Sequence, residues 1–111
     1  LDKAGQKGTG KWAAQDSFDF GIPTPAFCEA VCAREVSALK EERVNASKVF
    51  TDRKTYSNNN LLKITVDDLE KALYAAKISS YAQGFSMINA ASDEYNYGTN
   101  VKDCARIWRG G

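Results

Sequence analysis

Two long segments of this chain are apolar on nearly every side, and that limits what they can build. Thr24 is a good N-cap and Pro25 suits the first helical position, where its missing N–H costs nothing, so one long helix is predicted from Ala26 to about Val49. Its first half carries Phe27, Cys28, Ala30, Val31, Cys32 and Ala33 with almost no polar face, and Lys40-Glu41-Glu42-Arg43 then turn it toward solvent. The next helix is predicted to start at Thr65, with Asp68 three residues on forming a capping-box-like pair in which Asp replaces the usual Glu. Asp67, Asp68 and Glu70 also suit the positive end of its dipole. It bears two apolar stripes, one through Leu69, Leu73, Ala76, Ser80, Gly84, Met87 and Ala91, the other through Tyr74, Ile78, Tyr81, Phe85 and Ile88. Helices with so little polar face belong in the centre of something larger, while a plainer alternative leaves Tyr74 and Tyr81 on a half-exposed side. Ser80 and Gly84 are small enough to admit a neighbouring helix.

Two shorter helices complete the pattern. Thr9 is the expected N-cap of the first, Gly21 ends it and Pro23 prevents its continuation. The last is capped by Asn100 or Thr99 and ends near Trp108, after Gly98 closes the long helix. Residues Thr51 to Lys63 read as a connector with Asn58-Asn59-Asn60 at its tip. Strand signals are almost absent, so the expected fold class is all-α. The 111 residues open on Leu1 rather than Met and close on Gly110-Gly111, and we expect them to be part of a larger domain.

Composition narrows the chemistry. Fifteen Lys plus Arg oppose 14 Asp plus Glu, a net charge of +1, which argues against broad charge-driven binding to nucleic acid or a membrane surface. No histidine is present, so this chain holds no Ser/His or Cys/His catalytic pair and no His-ligated metal. Cys28, Cys32 and Cys104 cannot all pair within one chain and read as buried reduced thiols, which favours a reducing compartment. No apolar run approaches the ~18 residues of a membrane span.

The densest functional signal runs from Lys3 to Trp12, where Lys3, Lys7 and Lys11 stand among Gly5, Gly8 and Gly10. Glycines let the backbone turn its N–H groups toward a ligand, the following helix adds a positive dipole end, and lysine supplies full charge. Together they suit an anion, most naturally a phosphate; the alternative is a solvated turn with scattered lysines. Gly5 to Lys11 meets the first seven positions of a P-loop, but Trp12 replaces the Ser or Thr that would hold Mg²⁺, and no buried strand precedes it. Arg34 lies in line with Phe27 and Val31, and an arginine on such a face needs a carboxylate or an anionic ligand. Glu29 or Glu35 could instead pair with it, or the side chain could reach the edge of the helix. The sequon Asn45-Ala46-Ser47 falls inside a helical segment and reads as chance.

The stretch LDKAGQKGTGKW at residues 1–12 resembles the 6-phosphogluconate dehydrogenase family. The resemblance continues through GIPTPAFCEAVCAR, DDLEKALYAAKISSYAQGF, NYG and IWRGG, in order across essentially the whole chain. It implies that residues 1–111 are an internal piece of that family's C-terminal all-helical domain, without the N-terminal Rossmann-type domain that holds NADP and without the tail that reaches the other subunit of a homodimer. It also implies that Lys7, Thr9 and Arg34 bind the substrate phosphate, while Lys11 carries no family role. The implied reaction is oxidation of 6-phosphogluconate at C3, loss of CO₂ and protonation to ribulose 5-phosphate, in the pentose phosphate pathway and the cytoplasm. The lysine and glutamate that do the family's acid–base work precede this segment, and no metal is implied. Thr24-Pro25 and Cys28 stand where more aliphatic residues are expected, and Cys32 where an aromatic one is. Two other readings remain: a non-catalytic helical interaction module, and a related β-hydroxyacid dehydrogenase.

Overall fold

A computed structural model describes residues 2–50 and 63–110. Its elements are five helices: α1 (Thr9–Asp19), α2 (Pro25–Ala38), α3 (Lys40–Val49), α4 (Val66–Tyr95) and α5 (Val101–Trp108). No strand occurs among the described residues, so the fold is all-α as expected. The Asn58-Asn59-Asn60 tip lies outside the described residues.

Local chemistry explains most of the boundaries. The α1 exit closes with Gly21 N–H on the Phe18 carbonyl at 3.1 Å and Ile22 N–H on the Ser17 carbonyl at 2.8 Å, which satisfies two end carbonyls. The α4 start is a full capping box: Thr65 Oγ1 accepts from Asp68 N–H at 3.2 Å and Asp68 Oδ2 accepts from Thr65 N–H at 2.9 Å. Asn100 caps α5 by accepting from Lys102 N–H at 3.0 Å.

Four expectations need correction. Helix α4 stops at Tyr95 rather than at Gly98, because Asn96 takes the left-handed conformation (φ 55°) and Ser92 gathers the exit, its carbonyl accepting from Tyr97 N–H and its hydroxyl from Thr99 N–H. Thr24 occupies the cap position of α2 without capping it; the Gln83 side chain of α4 accepts from Ala26 N–H instead, at 2.9 Å. The cysteines are free but not buried: Cys32 is exposed, and Cys28 and Cys104 are half-buried.

The fourth correction is the largest. The segment from Ala26 to Val49 is two helices, broken at Leu39 (φ −78°, ψ 50°). No Gly or Pro marks the break. At the break the Arg43 guanidinium, which also binds Asp2 41 residues away, donates from Nη2 to the Ser37 carbonyl at 3.0 Å, an acceptor that a continuous helix would give to residue 41. In an unbroken helix, residues 37 and 43 would lie about 9 Å apart along the axis and roughly 120° around it, out of reach.

Helix contacts are few and close. A Cβ added to Gly10 would lie 3.0 Å from Val31 Cγ2, which brings α1 against α2. The Phe27 ring lies over Gly84, so the close approach expected at that small residue is made by α2. Trp108 stacks on Phe85 at 5.4 Å between ring centroids, joining α5 to α4, and Phe20 meets Tyr95 edge-on at 6.0 Å.

These contacts do not close a core. No apolar side chain among the described residues is buried, and the radius of gyration is 18.9 Å, against about 13 Å for a compact chain of this length. Both stripes of α4 are bare over its first half, with Leu69 60%, Leu73 65% and Tyr74 67% exposed. Without surroundings to cover them, the 111 residues alone are expected to melt broadly rather than cooperatively and to bind a hydrophobic dye; a sharp calorimetric transition would contradict this.

The capping box also has a pH signature. Hydrogen bonds from the Thr65 side chain and then its backbone hold the Asp68 carboxyl below its ordinary value, against a smaller opposing effect of desolvation. A depressed carboxylate stabilises the helix start fully above the ordinary carboxylate range, and that contribution disappears as pH falls through the lowered value. Amide protection over the first turn of α4, measured relative to the intrinsic exchange rate at each pH, is expected to fall on acidification in the native chain and to be low with little pH dependence after Asp68→Ala.

Candidate functional site

The site is built on the junction of α1 and α2. Gly8 precedes α1 with φ 121°, a conformation that side chains rarely adopt, and an added Cβ would meet the Trp12 ring at 3.4 Å. The chain can therefore turn sharply into the helix only with glycine here. No side chain caps α1, so the backbone N–H groups of Thr9, Gly10 and Lys11 keep no capping partner, whereas Trp12 N–H reaches the Gly8 carbonyl.

Thr9 is the first residue of α1, with Gly8 in the cap position, so the expected capping role of Thr9 is corrected. The correction matters chemically: a capping hydroxyl would be occupied by the helix backbone, and the Thr9 hydroxyl makes no hydrogen bond among the described residues. Lys7 is exposed on the turn before it and likewise has no ion pair among the described residues.

Arg34 stands on α2, on the opposite wall. Its Nε donates to the Gly5 carbonyl, which ties the guanidinium to the glycine-rich turn. Neither Glu29 nor Glu35 pairs with it; the ion pairs among the described residues are Asp2 with Lys40 and Arg43, Asp67 with Lys71, and Asp103 with Arg106. The terminal guanidinium nitrogens of Arg34 are therefore unpaired among the described residues.

An open groove of about 510 Å³ lies between these walls, and Lys7, Thr9 and Arg34 all line it. Gly10, Ala13, Phe27 and Val31 provide a largely apolar floor. Lys11 does not line it. Gln6 does, with its Oε1 buried and without a partner among the described residues, a feature no sequence pattern singled out. The groove thus combines one ammonium, one guanidinium, a free hydroxyl and an uncapped helix start around an apolar floor. That set is complementary to a doubly charged ester, because the planar guanidinium and the helix N–H groups can each engage different oxygens.

The family model for the 6-phosphogluconate dehydrogenase C-terminal domain matches residues 1–111. This chain belongs to the 6-phosphogluconate dehydrogenase family. Among curated relatives, it is 47% identical over its whole length to the 6-phosphogluconate dehydrogenase of Bacillus subtilis strain 168, named as NADP(+)-dependent and decarboxylating. It is 50% identical over its whole length to the decarboxylating 6-phosphogluconate dehydrogenase of Schizosaccharomyces pombe and 46% identical to a second form of that enzyme from Arabidopsis thaliana. The chain spans 24%, 22% and 24% of these three dehydrogenases, about a quarter of each. No helix among the described residues is long and apolar enough to cross a membrane.

The geometry of the turn makes Gly8 a sensitive position. In the complete protein, Gly8→Ala is expected to cost about 1–3 kcal/mol through backbone strain, read as a lowered thermal midpoint. A neutral substitution would show that the turn is free to adopt another conformation.

Proposed function

We propose that this segment supplies the phosphate-binding end of the substrate site in an NADP-dependent, decarboxylating 6-phosphogluconate dehydrogenase. The observation that carries the reading is the arrival of Lys7, Thr9 and Arg34, from two helices and the turn before them, on one groove. Family membership supports it over a non-catalytic helical module, and the decarboxylating relatives support it over a dehydrogenase for another hydroxyacid.

In this reading the Arg34 guanidinium and the Lys7 ammonium neutralise the phosphate, and the Thr9 hydroxyl with the α1 backbone N–H groups orients its oxygens. Anchoring that end fixes the position of C3 at the other, so remote binding energy serves alignment. The described residues contain no strand followed by a Gly-rich turn of the kind that cradles a dinucleotide. The hydride acceptor and the acid–base groups that oxidise C3, release CO₂ and protonate the resulting enediol to ribulose 5-phosphate then belong to other parts of the enzyme. The bare apolar face of α4 supports burial against those parts and against a second subunit of a homodimer. The setting is the pentose phosphate pathway in the cytoplasm.

In the complete enzyme, Lys7→Ala and Arg34→Ala are each expected to weaken substrate binding by about 2 kcal/mol, roughly a thirtyfold rise in KM, because each removes one of the two cations that compensate the phosphate charge. Steady-state kinetics with 6-phosphogluconate check this, and unchanged KM in both variants would remove the phosphate assignment.

A further inference from the structure

Lys7 stands on a turn, and the described residues before it, 2–6, form no helix, so side-chain contacts hold that stretch in place. Residues 2–5 lie along the end of α2 and the start of α3 and are fastened at successive points. Arg43 Nη1 donates to Asp2 Oδ1 at 3.0 Å and Nη2 to the Asp2 carbonyl at 2.8 Å, while Lys40 Nζ adds a looser contact to Asp2 at 3.9 Å. Ala4 N–H donates to Ser37 Oγ at 2.8 Å. Arg34 Nε holds the Gly5 carbonyl two residues before Lys7. The same Arg43 Nη2 also takes the Ser37 carbonyl at the helix break at Leu39.

We propose that Arg43 is a positioning residue for the phosphate site: by gripping Asp2 and the Ser37 carbonyl together, it sets the bend at Leu39 and draws the segment carrying Lys7 and Thr9 onto the wall that carries Arg34. This rests on the phosphate reading above. A lone surface ion pair would contribute little, but this guanidinium binds one carboxylate and two backbone carbonyls. Two of its acceptors are main-chain atoms, so what it fixes is the path of the chain. Lysine can keep the charge at Asp2 but cannot span the three acceptors. Lys7 lies five residues from the clamp, and a displacement of about 1 Å at a binding group is enough to be felt.

The experiment uses the complete enzyme and measures KM for 6-phosphogluconate and for NADP in Arg43→Met, Arg43→Lys, Asp2→Ala, Lys7→Ala, Arg34→Ala and the double variant Arg43→Met with Lys7→Ala. Arg43→Met is expected to raise the sugar-phosphate KM about tenfold, within the range that coupled sites show, with the NADP KM unchanged. Arg43→Lys should recover only part of the loss. Once Lys7 is already alanine, the Arg43→Met step should shrink to about threefold or less, because Arg43 acts through the turn that Lys7 stands on. Asp2→Ala removes the same grip from an exposed segment, keeps the test open should Arg43→Met fail to fold, and is expected to raise the same KM. If Lys7→Ala and Arg34→Ala raise the substrate KM while Asp2→Ala and the Arg43 variants leave it unchanged, or if the Arg43 and Lys7 losses multiply in full, the positioning role is overturned and the phosphate reading stands. If Lys7→Ala and Arg34→Ala change nothing, the phosphate reading fails and this inference fails with it.

Discussion

The close approach of α1 to α2 decides what this segment can do. Val31 sits where a side chain on Gly10 would be, so the start of α1 lies directly against the helix that bears Arg34. A larger residue at Gly10 would force the two walls of the groove apart or displace Val31. Gly8 makes the second half of the same arrangement, since its backbone conformation turns the chain into α1 without a capping side chain. The result is an uncapped helix start, a free hydroxyl and two cationic groups around one groove, from a sequence with almost no net charge.

The same segment is poor in everything that makes a domain stand alone. Its accessible surface is 9636 Å², against about 6,000 Å² for a folded monomer of its mass. The large apolar residues at the start of α4, together with Phe18, Val49 and Phe50, face outward. What is well made is local: the capping box at Thr65, the closed exit at Gly21, the aromatic stack of Phe85 and Trp108. Local order of this kind fixes helix ends and turns without burying the apolar faces.

Much of the fold was legible in the sequence where the signal is local. Pro25, Thr65 with Asp68, Asn100 and Gly21 act within a few residues of the ends they mark, and those ends lie close to where the pattern puts them. Errors arose where a distant partner overrides local chemistry. Thr24 reads as a cap, yet the acceptor for Ala26 N–H is Gln83, 57 residues beyond Ala26. Residues 26–49 read as one helix, yet two helices form, and at their junction a guanidinium that binds Asp2, 41 residues away, takes the Ser37 carbonyl. Thr9 reads as a cap because Thr is a good one, but the turn at Gly8 places it inside the helix, where its hydroxyl caps nothing. Charge and glycine spacing pointed to the lysine cluster and left Arg34 open between an ion pair and a ligand, the family resemblance alone singled out Lys7 and Thr9, and Gln6 was not readable because its burial has no sequence signature. Composition could not show that Lys7 and Arg34 share a groove, since that depends on the α1–α2 contact.

The central claim is that this groove reads the phosphate and not the sugar. Calorimetric titration of the complete enzyme with 6-phosphogluconate and with unphosphorylated gluconate, in the native protein and in the double variant Lys7→Ala with Arg34→Ala, tests it directly. The account predicts a strong preference for the phosphorylated ligand in the native enzyme and nearly equal, weak affinities in the double variant. A preference for 6-phosphogluconate that survives the loss of both cations would contradict it.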